Sequence, residues 1–326
     1  MSPRPIRFTK RLLLIAAALF VAAPVCAQTD NFPSRPVTLI VPFPPGGAAD
    51  GHLRTMGELA AKHLGQPVII QNKPGASGTL GPTTMAKSSA PDGYTISQMS
   101  TSAYRIPFTQ KVAWDPLKDF TFIINVADVP YGVLVAGDSP FNSLQDLMDY
   151  AKAHPGELNY GTSGQITVPH LAMEELGLKS GGTMTLVPFK GYADGATALL
   201  GKQIDVLIES PSWEPMVDTG RMKLLGITGE GRNPRWPDVP TLKETYGVVG
   251  VGPYGIVGPA GMDPAVVKTL HDALHKAMQE PAYQESMTKF RQASAYLGPD
   301  DYRAWAVSYS AQQKALLQRL GLMAQP

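Results

Sequence analysis

Apolar positions along the chain fall into short β-branched runs that alternate with longer amphipathic stretches. The run 37–41 ends in a Pro- and Gly-rich loop, and helical periodicity follows from Asp50. Two further buried runs, 67–72 and 94–99, enclose a helical stretch of small residues that ends near Ser89. The order strand, helix, strand, helix, strand predicts a parallel sheet covered by helices.

The same alternation returns in the middle of the chain. Strands are predicted at 131–135, 159–162, 185–189, 204–208 and 223–227, and helices at 143–153, 169–176 and 192–200. Residues 229–246 contain three prolines and are predicted to be loop, after which a strand at 254–258 and helices at 264–279 and 299–320 complete the chain. We therefore predict an α/β protein of two lobes, with domain 1 formed by 28–130 plus 250–326 and domain 2 by 131–249.

The first 27 residues have the features of a secretory signal peptide. An uncharged run at 12–23 leads to small residues at Cys26 and Ala27, and a basic start precedes it with Arg4, Arg7, Lys10 and Arg11. The apolar run is too short for a membrane span. We expect cleavage after Ala27 and export to the periplasm.

Charge and cysteine content limit the partners. The chain carries 28 basic and 27 acidic residues. Four basic residues belong to the leader, so the mature chain retains 24 against 27, a net charge of −3. This argues against a nucleic-acid partner, which needs a positive surface. Cys26 is the single cysteine, and Val25 before it is a poor residue for lipidation, so the mature chain is expected to have no thiol.

Three features resemble catalytic motifs but have the wrong context. His271 and His275 have the spacing of a zinc-protease pair, yet Asp rather than Glu follows the first and no third ligand is nearby. The glycines of 250–255 fit a dinucleotide fingerprint but precede a strand instead of following one. Asp50 is expected to cap or brace the start of its helix, and Asp205 to brace a neighbouring loop or to close the cleft, instead of forming a catalytic pair. We predict no catalytic residue, no metal and no cofactor.

Gly-, Ser- and Thr-rich loops recur where predicted strands end, at 43–50, 73–79, 100–102 and 161–167. Small residues let a ligand approach the backbone, and hydroxyl groups add hydrogen bonds. The first loop has no Lys, Arg or His and opens a helix, whose free N–H groups suit an anion. Two such loops across a cleft could bind a carboxylate without any basic side chain.

The stretch from Phe32 to Asp50 resembles the opening signature of the Bug receptors, the solute-binding proteins of tripartite tricarboxylate transporters. Residues 72–78, 90–95 and 237–241 look like the same family, and the resemblance covers essentially the whole mature chain. It implies a two-lobed periplasmic binding-protein fold of type II-like architecture, with mostly parallel sheets and a ligand cleft between the lobes. It also implies a non-enzymatic receptor, expected as a monomer, that delivers a small carboxylate to membrane permease subunits.

The resemblance places the family's binding loops on 43–48 and 162–167, with further contacts after the third strand and near 187–191. The ligand-binding residues it implies are Phe43, Gly46, Gly47, Ala48, Ser100, Ser102, Thr162, Ser163, Gln165, Thr167, Phe189 and Asp205. Ile166 stands where relatives usually have Gly, and Gln165 adds an amide. A di- or tricarboxylate and an aromatic carboxylate therefore both remain open.

Two other functions remain as alternatives. The protein could serve a membrane sensor as a ligand-sensing co-receptor instead of serving uptake. An exported hydrolase or dehydrogenase is less favoured, since the sequence lacks a nucleophile–base constellation and a correctly placed cofactor loop.

Overall fold

The computed structural model of the protein describes residues 32–289 and 293–324. The predicted leader and its cleavage site lie outside these residues. The strands are β1 (Val37–Val41), β2 (Val68–Asn72), β3 (Thr95–Met99), β4 (Phe120–Pro130), β5 (Gly132–Ala136), β6 (Asn159–Thr162), β7 (Thr185–Pro188), β8 (Val206–Glu209), β9 (Met222–Ile227), β10 (Val251–Pro259) and β11 (Ala293–Leu297).

The helices are α1 (Ala48–Leu64), α2 (Leu80–Ser88), α3 (Ile106–Thr109), α4 (Leu144–Ala153), α5 (Val168–Ser180), α6 (Tyr192–Leu200), α7 (Glu214–Asp218), α8 (Leu242–Tyr246), α9 (Pro264–Met278), α10 (Pro281–Lys289) and α11 (Pro299–Arg319). Within residues 32–289 and 293–324, no helix combines the length and apolarity that crossing a bilayer requires.

The strands form two sheets, one in each lobe, as the predicted two-lobed α/β architecture requires. The first sheet has the order β11-β4-β10-β3-β1-β2, and the second has the order β7-β6-β8-β5-β9. In the first, β1 lies parallel to β2 and β3, which confirms the predicted parallel unit. In the second, β6 lies parallel to β7 and β8.

Each sheet is mixed, where mostly parallel sheets were predicted. β10 runs antiparallel to β3 and β4, and β5 runs antiparallel to β8 and β9. The reason is the course of the chain between the lobes. In each sheet, one strand ends where the lobes meet and its neighbour starts there. β3 ends and β10 starts at this side of the first sheet, and β8 ends and β5 starts at this side of the second. The two strands of each pair therefore run in opposite directions.

The two connections between the sheets lie side by side and are tied by hydrogen bonds. Tyr131 is the single residue between β4 and β5, while Thr228 follows β9 and Gly250 precedes β10. The Thr228 amide donates to the Tyr131 carbonyl at 2.9 Å, and the Tyr131 amide donates to Thr228 Oγ1 at 2.9 Å. The Gly250 amide donates to the Thr228 carbonyl at 3.0 Å. Both crossings therefore form one compact hinge.

Local sequence signals explain several helix starts. Ser143 and Asp146 form the predicted capping box of α4, and the Asp263 carboxylate accepts from the Ala265 amide at 2.7 Å. The predicted loop 229–246 is wrong in its last part, since Thr241 and Glu244 form a second capping box that starts α8. The segment between α9 and α11, for which no element was predicted, contains α10 and β11.

Helix α11 closes the first lobe by packing on its sheet. The Tyr302 ring meets Phe122 of β4 edge-to-face, with the ring centroids 5.0 Å apart. Its hydroxyl lies directly over Gly255 of β10, where any side chain would overlap it. The end of the chain thus returns to the sheet that the first hundred residues began.

We expect Gly255→Ala to lower the free energy of unfolding by about 2 kcal/mol, because the added methyl group overpacks against the buried Tyr302. Denaturant unfolding measures the loss. Gly231→Ala is the matched control, since that glycine is exposed and a methyl group there meets no atom within 4 Å. Equal stability of the two variants would contradict the packing of α11 on β10.

Candidate ligand-binding site

A cavity of about 200 Å³ lies between the lobes, beside the hinge. Both lobes line it, and the hinge residue Tyr131 forms part of the wall. The first lobe contributes residues 43–49, 98–101 and 252–254, and the second contributes Ser163, residues 191–194, Glu209 and Ser210. The lining follows the carboxyl ends of β1, β3, β6 and β8, where open α/β sheets bind their ligands.

Loop 43–49 brings the N-terminus of α1 to the cavity. Gly46 has φ +86°, a left-handed conformation that glycine adopts without strain, and Gly47 is extended at the N-cap. No side chain caps α1, so the first-turn amides at Ala48 and Ala49 have no partner within the helix. This is a site for an anion that needs no basic side chain.

Asp50 holds this loop in place. Its carboxylate accepts from the Gly46 amide at 3.0 Å, from Asn72 Nδ2 at 2.8 Å and from Arg54 Nε at 3.0 Å. Burial works to raise the pKa of Asp50, but these hydrogen bonds outweigh it and the pKa lies below its usual value. Asn72 Nδ2 also donates to the Phe43 carbonyl at 3.0 Å. The prediction that Asp50 braces its helix start is confirmed.

The second-lobe loop 163–167 is held by its own polar groups. Thr162 Oγ1 and Thr167 Oγ1 both donate to the Gly164 carbonyl, at 2.6 and 3.0 Å. His170 Nδ1 accepts from the Ile166 amide at 3.0 Å. Ile166 has φ +56°, a costly conformation for a β-branched residue. Its strain explains why a glycine would fit this position more easily.

Six of the twelve predicted residues line the cavity, namely Phe43, Gly46, Gly47, Ala48, Ser100 and Ser163. The other six lie outside its lining. Thr162 and Thr167 shape the second-lobe loop, Gln165 is exposed, and Ser102 is buried behind Ser100, whose Oγ accepts from the Ser102 amide.

Phe189 and Asp205 are placed differently from the prediction. Phe189 packs over Gly161 in the second-lobe core, where it leaves no space for another side chain. Asp205 accepts from the Asn159 amide at 2.8 Å. Because Asp205 precedes β8, it lies at the amino end of the strand, whereas the cavity lies at the carboxyl end. It braces the start of β6, whereas the sequence predicted that it would brace a neighbouring loop or close the cleft.

The cavity has lining residues that the sequence did not single out as ligand contacts. Tyr131, Tyr192 and Tyr254 form an aromatic wall with Phe43. Burial raises the pKa of all three tyrosines, to about 12 for Tyr192, so each hydroxyl stays protonated at neutral pH. Tyr192 and Tyr254 follow strand ends or lie near them, a signal that was present in the sequence.

Gln98 and Glu209 are the other unpredicted polar residues. Gln98 lies inside the apolar run of β3 and Glu209 ends β8, and both are buried. Within the part of the chain that the structure describes, Gln98 Oε1 and Glu209 Oε2 have no hydrogen-bond partner. The lining includes no Lys, Arg or His among the described residues.

Arg105 connects the lobes behind the cavity. It is 2% exposed, and its guanidinium donates to Gln313 Oε1 at 2.7 Å, to Thr101 Oγ1 at 3.2 Å and to the Tyr309 hydroxyl. It also donates to the Ile166 carbonyl of the second lobe at 3.3 Å. No carboxylate of the described ranges pairs with it, and burial lowers its pKa. A buried cation held by neutral acceptors thus bridges the two lobes.

The histidine pair lies outside the cavity, whereas residues 252–254 of the glycine motif line it. His271 and His275 pack against Tyr296, with the His275 and Tyr296 rings stacked at 4.2 Å. Residues 32–289 and 293–324 contain no cluster of three or more His, Cys, Asp or Glu side chains arranged for a metal. Most of the glycine motif 250–255 lies inside β10, so it does not form a phosphate loop.

The two sheets, the hinge and the enclosed cavity define a two-lobed solute-binding protein of the periplasmic type. A sequence profile of the tripartite tricarboxylate transporter family receptor matches residues 53–322, and the chain belongs to this family. It is 45% identical over 308 residues to the UPF0065 protein in the gbd 5′ region of Cupriavidus necator, with 94% of each chain covered. It is 31% identical over 298 residues to the protein BugT of Bordetella pertussis, with 90% of each covered.

Solved structures show the same fold. The periplasmic binding protein BugD is 30% identical, with a TM-score of 0.84 over 90% of this chain and 100% of that one. R. palustris Rpa4515, solved with adipate, is 26% identical, with a TM-score of 0.85 over 90% and 100%. MatC from Rhodopseudomonas palustris, with bound malate, is 28% identical, with a TM-score of 0.79 over 88% and 100%.

The pH dependence of stability in the variant Asp50→Asn tests whether the Asp50 carboxylate holds loop 43–49 in place. Because the folded-state pKa of Asp50 is lowered, its stabilisation is fully present above the unfolded pKa of about 4 and is lost as pH falls towards the folded value. We expect the variant to be less stable than the wild type at neutral pH and to lose less stability on acidification. Urea unfolding at several pH values measures both.

Glu58→Gln on the exposed side of α1 is the control for removing one carboxylate from that helix. It should keep the wild-type pH profile. An unchanged profile in Asp50→Asn would show that the carboxylate does not hold the loop.

Proposed function

We propose that this protein is a periplasmic receptor that captures a small carboxylate and delivers it to the membrane permease of a tripartite tricarboxylate-type transporter. One observation carries the proposal: an interlobe cavity receives the uncapped N-terminus of α1 and has no basic lining residue among those described. The carboxylates bound by two relatives, adipate and malate, support the same class of ligand. The basic and apolar leader in residues 1–27 supports export, and we propose a monomer.

We further propose that the lobes are residues 28–130 plus 250–326 and residues 131–249, and that they close on the ligand about the hinge. The two sheets divide near these boundaries. Only Tyr131 separates β4 from β5, so a small change of backbone angles there would reorient one sheet against the other. Ligand contacts made by both lobes would favour the closed arrangement.

Close approaches between the lobes support a closed state. Gly164 lies against Ser77, and Gly191 lies against Pro44, in each case with no space for a larger residue without movement. The Arg105 guanidinium reaches the Ile166 carbonyl across the same boundary. Opening the lobes would separate these groups, so we infer that they stabilise closure.

Arg105→Met should weaken ligand binding about tenfold, because a hydrogen bond from a charged donor to the closing lobe is lost. Calorimetry measures the affinity, and stopped-flow release should be faster. The matched control is Arg319→Met, which removes the exposed Arg319–Glu175 contact of 3.4 Å between α11 and α5. An exposed pair contributes little. Equal effects of the two changes would contradict a closing role for Arg105.

We propose binding without turnover. Ser210 Oγ donates to Glu209 Oε1 at 3.0 Å, but no histidine of the described chain lines the cavity to act as a base for it. The hydroxyls and amides suit binding. Analysis of each stabilising compound after incubation would detect any product, and product formation would overturn the receptor proposal.

The main test is a thermal-shift screen over aliphatic and aromatic carboxylates. A ligand that binds the folded state raises the melting temperature by mass action, so at least one carboxylate should give a concentration-dependent increase. Calorimetry then gives its affinity. A screen in which no carboxylate stabilises the protein would contradict the proposed function.

Gly47→Val tests the place of binding. An added Cβ at Gly47 meets only the Pro44 carbonyl, at 3.9 Å, and its φ of −82° suits any residue, so the fold should persist. The isopropyl group would obstruct the approach to the α1 amides. We expect an affinity loss of about tenfold or more with unchanged circular dichroism. Gly231→Val on the surface should bind as the wild type, and undiminished binding by Gly47→Val would exclude this loop from the site.

A further inference from the structure

The second-lobe lining of the cavity contains an acceptor that the protein itself does not satisfy. Glu209 is 4% exposed, ends β8 and lines the cavity. Its Oε1 accepts from the Ser210 amide at 2.8 Å and from Ser210 Oγ at 3.0 Å. Its Oε2 is buried and, in residues 32–289 and 293–324, has no hydrogen-bond partner. Burying a carboxylate oxygen without a hydrogen-bond donor costs free energy, so the ligand-free site is destabilised at Glu209 Oε2.

The surroundings of Glu209 do not neutralise it. The only other acidic lining residue, as far as the structure describes the chain, is the exposed Asp194, and no basic residue lines the cavity there. Burial raises the pKa of Glu209, and the nearby polar groups of Ser210 and Ser163 do not fully offset it. The charge of Glu209 in turn raises the pKa of Tyr131, Tyr192 and Tyr254. A hydrogen-bond donor on the ligand would satisfy the buried Glu209 Oε2.

The first-lobe lining of the cavity has the opposite character. At Ala48 and Ala49, the first-turn amides of α1 are donors without a partner in the helix, and Asp50 is already occupied in bracing Gly46. The two lobes therefore select different groups on one molecule. Donors at α1 suit a carboxylate, and the acceptor at Glu209 suits an N–H or O–H group.

We propose that Glu209 Oε2 is a specificity-determining acceptor, and that the ligand is a carboxylic acid that also carries a hydrogen-bond donor, either a hydroxyl or an ammonium group. This inference rests on the proposed receptor function and narrows its ligand class. A plain dicarboxylate would place a second anion against Glu209 and leave Oε2 without a donor. A site that must satisfy a buried polar group rejects analogues that lack its partner.

Matched acids test the proposal on the wild-type protein. Each set carries hydrogen, hydroxyl or ammonium at one position: butyrate, γ-hydroxybutyrate and γ-aminobutyrate; succinate, malate and aspartate; para-toluate, para-(hydroxymethyl)benzoate and para-(aminomethyl)benzoate. In the best-binding set, calorimetry should show the donor-bearing acids about tenfold or more tighter than the plain acid. The hydroxyl and ammonium members of that set separate the two kinds of donor.

Glu209→Gln assigns the preference to this residue. The amide keeps the Oε1 acceptor for Ser210 but places an NH₂ donor at the position of Oε2, so the fold should be retained and the ligand-free melting temperature should not fall. We expect the preference for donor-bearing acids to drop about tenfold, with the larger loss for ammonium ligands. Glu157→Gln, an exposed residue at the amino end of β6, is the charge-matched control and should keep the wild-type preference.

The outcomes separate the two proposals. If plain and donor-bearing acids bind equally, or if Glu209→Gln leaves the preference unchanged, the inference is overturned while the receptor function stands. Tighter binding of plain dicarboxylates would also overturn it, since Glu209 would then be protonated and act as a donor. If no carboxylate binds at all, the proposed function fails, and the inference fails with it.

Discussion

The cavity depends on one constraint, the fixing of backbone amides by side chains that never reach the ligand space. Loop 43–49 has no helix cap of its own, and its shape is set by Asp50, which joins Gly46, Arg54 and Asn72. With the loop fixed, the α1 amides are oriented before a ligand arrives, so less ordering is required on binding. A helix terminus then supplies the positive potential that a basic side chain would otherwise supply.

The hinge between the lobes is built from very short connections. Because β4 continues into β5 through Tyr131 alone, the lobes are joined by strands instead of long loops. Thr228 binds the backbones of both crossings, and Tyr131 also lines the cavity. A ligand that touches Tyr131 therefore contacts the hinge itself. This links occupancy of the cavity to the arrangement of the lobes without any intermediate chain of residues.

The sequence predicted the parts of the fold that local patterns determine. Runs such as 37–41 and caps such as Ser143 and Asp263 gave strands and helix starts close to those observed. Strand direction was less accessible, because the reversal at β5 and β10 depends on where the chain crosses between lobes. Site residues on loop 43–49 were predicted from their glycines. Glu209 and Gln98 were missed because both end or lie within apolar runs, where a polar residue gives no periodic signal.

The two lobes contribute different kinds of chemical group to the cavity. The first lobe presents amides whose geometry is independent of side-chain identity, so the loop that builds them can serve many carboxylates. The second lobe presents Ser163, Tyr192, Glu209 and Ser210, whose chemistry changes with each substitution. Its loop 163–167 contains the strained Ile166, whose carbonyl accepts a hydrogen bond from Arg105 of the first lobe. In the proposed receptor, ligand choice therefore depends mainly on side chains of the second lobe, while the first lobe supplies an anion site made of backbone amides.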